Sequence, residues 1–287
     1  QQPEEQPPPP SQQQLQLQLE QSEAESAKAP VDTNVFARLS RLIEEATAEQ
    51  VQQWQEQISA LEEKEEDDCR NGGSVQGISK PLLTELCGFI TTRHPQWTTH
   101  EFCEKFVKPL TAQFQCSLLN LLNVVGTEIG YKARLAATRP ACIFVSHAWS
   151  YPISHLLSCL LDMDSAEKEV FWIAALTVSQ HPRHTAETEK QGVDFDWCSD
   201  SFVGQLKAIG RTVLVLQPYE NPVPLQRSWC LFEIFCTHQA EVNFEIVFDE
   251  EEQKNFSSAL RGDKFELRDW VSDIDLRKAE AGSKADQ

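Results

Sequence analysis

The sequence predicts an α/β protein: a parallel sheet with flanking helices over residues 138–280, preceded by a small helical unit and a long amphipathic helix. Three observations point there. After Ala141, short runs of continuous apolar residues alternate with helix-length segments, the mark of strands covered on both faces. Before position 70, apolar residues recur at three- and four-residue steps. The 287 residues are 40% hydrophobic and 24% charged, enough apolar material for a core.

Residues 1–30 are rich in Gln, Pro and Glu, with four consecutive prolines from Pro7 to Pro10. A segment so poor in apolar side chains cannot offset its chain entropy, so a disordered tail is expected. Over 31–70 the spacing predicts one amphipathic helix. Val35, Leu39, Leu42 and Ala46 form one register, and Val51, Trp54, Ile58 and Leu61 form a second, with a slip between them. This helix either builds a short coiled coil that joins copies of the chain or packs on its own domain. The acidic run Glu62 to Asp68 and then Asn71-Gly72-Gly73 should stop it.

Residues 79–137 read as a helical unit. Ser79 is placed to cap a helix through Leu82, Leu83, Leu86, Phe89 and Ile90. Thr98 to Glu101 has the pattern of a capping box for a second helix, which Pro109 should end. Cys116 to Val125 makes a third. Strands are then expected at Ala141 to Ser146, Val170 to Leu176, Thr212 to Leu216 and Val242 to Phe248. Helices are expected at Ile153 to Met163, Ser201 to Ile209 and Ser228 to Gln239. In such folds ligands bind beyond the carboxyl ends of the strands.

A net charge of −19 argues against nucleic acid and anionic membranes as partners, because both call for clustered Lys and Arg. No run of 18 apolar residues is present, which excludes a membrane-spanning helix from the sequence reading. The first residues do not resemble a signal peptide, and a start without Met is expected of a fragment or processed form. Nine scattered cysteines without a CxxC pair read as free thiols in a reducing compartment, hence a cytoplasmic protein.

Ser146 and His147 are neighbours on a strand and point to opposite faces, which disfavours a nucleophile–base dyad. Residues 126–132 fall one position short of a phosphate-binding loop, and the Rossmann glycine pattern is missing. His181, His184, Asp194, Asp196 and Cys198, like Cys230, Cys236 and His238, lack zinc spacing, so no metal and no cofactor are expected. Arg211 and Arg227 flank expected strand ends, where a guanidinium can meet a phosphate. Trp229 and Glu233, four apart, share one helix face.

Phe144 to Trp149 (FVSHAW), Ile209 to Leu216 (IGRTVLVL) and Arg227 to Ile234 (RSWCLFEI) occur in an order that resembles the Toll/interleukin-1 receptor (TIR) family. The likeness is to its members in unicellular eukaryotes marked by SHAW and RxWCLFEI motifs. It implies a TIR/flavodoxin-like fold, a role in signalling or an immune-type response, and homo-oligomers formed through this domain and helix 33–66 or with other TIR-like proteins. Many TIR domains cleave NAD at the nicotinamide–ribose bond with the Glu of this motif. The resemblance therefore implies Glu233 as catalytic carboxylate, NAD as substrate, and Ser146, His147, Trp149, Arg227 and Trp229 as substrate-binding residues, the tryptophans forming aromatic walls. The alternative is a scaffold without activity that self-associates and docks partners. FVSHAW together with Trp172 to Gln180 (WIAALTVSQ) also resembles the heterokaryon-incompatibility domain of cell-death effectors, with Ala174 and Ser179 where that family carries Asp and Asn.

Overall fold

The computed structural model describes residues 34–70, 73–130, 139–163, 168–181 and 195–262, with the backbone alone for 69–70 and 195–200. The tail expected over 1–30, His184, Asp194 and everything past 262 lie outside them. A six-stranded sheet runs through the structure: β1 (Gln76–Ser79), β2 (Arg139–Pro140), β3 (Ile143–Ser146), β4 (Val170–Trp172), β5 (Arg211–Val215) and β6 (Asn243–Val247), in the spatial order β2-β1-β4-β3-β5-β6. From β4 to β6 all pairings are parallel, with Phe144 opposite both Trp172 and Thr212. The first of these four strands lies between the second and third. That is the doubly wound order, and its switch point falls between the carboxyl ends of β3 and β5.

Two corrections concern the front of the chain. The expected single helix is two, α1 (Val35–Glu45) and α2 (Ala48–Arg70). Ala46 is extended, at φ −65° and ψ 136°. Thr47 Oγ1 accepts from Gln50 N (3.3 Å) while Gln50 Oε1 accepts from Thr47 N (3.0 Å), a reciprocal cap that starts the second helix. The slip in apolar phase is this break. Nor does the apolar stripe wait for another copy: Val35, Phe36, Leu39, Trp54 and Ile58 are buried in the chain's own core. Trp54 also donates from Nε1 to Glu128 Oε1 at 2.8 Å.

That core does not stop at a domain boundary. It runs from α1 and α2 through α3 (Lys80–Arg93), the Thr99–Thr111 helical stretch, α6 (Leu118–Val125) and α7 (Ile153–Asp162) to Ile143, Val145, Phe171, Val213 and Val215 on the sheet. The helical unit is thus one layer of the α/β body. The Thr99–Thr111 stretch comprises α4 (Thr99–Phe102), a π-helical Cys103–Val107 and α5 (Lys108–Thr111). Its capping box forms as expected, with Thr98 and Glu101 exchanging bonds. Pro109 does not end it. Without an N–H of its own, Pro109 follows a turn widened to π spacing, and the helix continues to Thr111.

The antiparallel flank was not foreseen. Gln76–Ser79, of which only Ser79 was read, as a helix cap, is a strand that Ser79 closes as it enters α3. Gly77 permits it: an added Cβ would stand 2.7 Å from Phe171 O and 2.8 Å from Val170 Cγ1. The run expected as a strand from Val170 to Leu176 is shorter, turning at Ile173 into α8 (Ala174–Thr177).

The other face of the sheet is covered by α9 (Phe195–Ile209) and α10 (Ser228–Ala240). Gly210, at φ 86°, ends α9 and feeds β5. A 3-10 turn, Val223–Gln226, precedes α10, and α11 (Glu250–Arg261) follows β6. Among the described residues no helix is long and apolar enough to cross a membrane. Seven cysteines among the described residues are free, and five of them are buried.

Candidate functional site

The site forms where β3 ends under α10. Phe144 and Ser146 share one face of β3, and Phe144 lies in the cluster beneath α9 and α10. Helix α10 is apolar apart from a few positions, and Glu233 and Thr237 are four apart, so both meet the sheet. Ser146 Oγ donates to Glu233 Oε2 at 2.5 Å. One turn on, Thr237 Oγ1 lies 3.0 Å from Thr212 Oγ1 of β5 and donates to the Glu233 carbonyl at 2.7 Å. Nearer the helix start, Cys230 Sγ lies 3.6 Å from the His147 carbonyl. A polar seam therefore registers α10 on the ends of β3 and β5.

Electrostatics follow from burial. Glu233 is half-buried as a residue, yet its carboxyl faces inward, and desolvation raises its pKa to about 7. The Ser146 hydroxyl and the nearby Arg227 guanidinium pull the other way by favouring the charged form. His147 is buried, and desolvation together with Arg227 lowers its pKa to about 3, so its imidazole is neutral at physiological pH. Its Nε2 lies 3.2 Å from Thr99 Oγ1. Ser146 and His147 thus turn to different elements and form no dyad.

The residues expected at the site are only partly brought together. Ser146, Glu233 and Arg227 converge, and His147 backs them through its carbonyl. Trp149 does not join: it packs against the core cluster on the opposite face of the sheet, and its carbonyl accepts from His100 N at 3.0 Å. Trp229 stays 53% exposed and meets Phe232 edge-on at 6.0 Å. It ends an aromatic row that continues through Phe232, Phe202, Phe144 and Trp172. The expected pair of aromatic walls is therefore a single exposed indole, because the chain after His147 turns into the other layer. Arg211 is also elsewhere. At the amino end of β5 it pairs with Glu169 at 2.9 Å and with Glu245, far from the carboxyl edge.

Thr99, Thr212 and Thr237 were not singled out from sequence as site residues, and Cys230 was noted only as a motif position and for its lack of zinc spacing. For Thr237 the signal was present, as a polar residue one turn from Glu233 on the same helix face. For the rest, only tertiary contact reveals them. Among the described residues no group of three His, Cys, Asp or Glu could hold a metal ion. Comparison of this chain with protein-family models, with curated proteins and with solved structures finds no match.

Proposed function

We propose that this chain is a TIR-like signalling or immune-type response protein of the cytoplasm, and that Glu233 cleaves NAD at the nicotinamide–ribose bond. The observation that carries this is the position of the carboxyl. Glu233 lies at the carboxyl end of β3, beside the switch point of a doubly wound sheet, where ligands of such folds bind. A carboxyl with a strongly raised pKa and a cation nearby is also what functional sites select. In the reaction, nicotinamide leaves with the bonding pair, positive charge develops on the ribose, and the Glu233 carboxylate stabilises it. Water then adds at the same carbon and releases a proton, giving ADP-ribose. Arg227 suits the pyrophosphate, and Trp229 offers a stacking face.

Purified protein incubated with NAD should release nicotinamide, and Glu233→Ala should not. Wild-type protein that releases none at high concentration would remove this reading.

A second reading is favoured by a specific observation: a scaffold that acts by self-association. The carboxyl is already engaged by a buried serine, whereas Trp229 and Phe235 of α10 and Phe244 and Ile246 of β6 are exposed apolar side chains available to a partner copy. Sedimentation should then show oligomers that Phe244→Lys with Ile246→Lys dissociates, with no turnover of NAD.

A further inference from the structure

Ser146 is 1% exposed at the last position of β3, so its hydroxyl is closed to any solute while α10 is docked. That excludes the substrate contact expected for it. Its one described side-chain bond runs to Glu233, and the helix carrying Glu233 is registered on either side by the Cys230–His147 and Thr237–Thr212 contacts. We infer that Ser146 is a positioning residue whose hydroxyl fixes the orientation of the Glu233 carboxylate and sets the pH range in which that carboxyl is ionised. The catalytic consequence rests on the proposed role of Glu233; the bond and its effect on the proton do not.

The physical reason is an imbalance that one donor corrects. Burial favours the neutral acid, and a hydroxyl donating to the carboxylate favours the anion. Few other groups can substitute for it. Arg227, ahead of α10, is the cation whose field reaches the carboxyl. His147, just past the end of β3, is neutral and faces Thr99. On α10 itself the Cys230 thiol faces the His147 carbonyl, and His238 is exposed. Arg211 of β5 is held by Glu169 and Glu245 at the far end of the sheet, Glu245 of β6 with it, and Lys207 sits in the last turn of α9 just before that same end. Without Ser146, Arg227 is the one group among the described residues that opposes the desolvation.

The test is a titration of the full chain labelled with carboxyl-13C glutamate, the Glu233 signal being the one lost in Glu233→Gln. Wild type should titrate near neutrality. Ser146→Ala should raise the proton affinity of Glu233 roughly tenfold, as expected for loss of a hydrogen bond to a charged group. Ser146→Cys, a poorer donor of similar shape, should fall between, and it decides the question if Ser146→Ala does not fold. The pH profile of nicotinamide release should move upward by the same amount, which a merely structural defect would not cause. An unmoved midpoint in the folded variant overturns the inference, even where NAD is cleaved. A shifted midpoint without nicotinamide release upholds it and removes the proposed reaction instead.

Discussion

Glu233, bonded to Ser146 on one side of β3, and His147, turned to Thr99 on the other, respond to pH with opposite signs. The folded protein holds the Glu233 proton more tightly than the unfolded chain, at about 7 against an ordinary 4.5. The resulting stability is present below pH 4.5 and is lost as pH rises through 7. For His147 the folded value drops to about 3 from 6.5, so stability is present above pH 6.5 and lost as pH falls toward 3. Replacing Glu233 by Gln should therefore help the protein at pH 8 relative to pH 5, on the order of 2 kcal/mol. Denaturant unfolding at the two pH values measures it, and an equal effect at both would contradict an inward-facing carboxyl. His147→Asn should shift acid unfolding to lower pH in the same assay.

At the scale of elements, Gly77 and Trp54 decide how the front of the chain joins the sheet. A methyl group at Gly77 would meet the backbone of β4 at 2.7 Å, so Gly77→Ala should push β1 from its place between β2 and β4. The expected cost is about 1–3 kcal/mol, read as a lower midpoint of thermal unfolding. A neutral result would mean that the strand yields without loss. Trp54 is 1% exposed, so Trp54→Ala should cost about 3–5 kcal/mol. Because Trp54 packs within its own chain, the loss should appear at every protein concentration. A defect confined to dilute protein would restore the coiled coil.

From Asn34 onward the described residues form one compact unit. One apolar cluster runs from Val35 to Val215, joining helices that precede the sheet to strands in its middle. Calorimetry should accordingly show a single cooperative transition. A chain begun at residue 138 should not hold the α/β fold, since it lacks β1 and most residues covering one face of the sheet. A stable, cooperatively folded fragment from 138 would show instead that the helical layer is an independent domain.

Much of this was legible in the residues. The parallel strands and their helices are local signals: Ile143 to Ser146 and Arg211 to Val215 are apolar runs of strand length, and Thr98 with Glu101 caps by spacing alone. A helix break was legible too, as the slip between Ala46 and Val51, although the Thr47–Gln50 cap that causes it went unread. The sequence by itself determined the α/β class, the parallel strands and a single carboxyl within the helix 228–240, although it read β6 as covered where the structure leaves it exposed. Only the tertiary structure decided that Gln76–Ser79 is a strand, that Trp149 belongs to the opposite layer, and that Ser146 meets Glu233. The reason is range. Periodicity and capping act over three or four neighbours, whereas residues 146 and 233 are 87 positions apart and meet only because the strand order places β3 beneath α10.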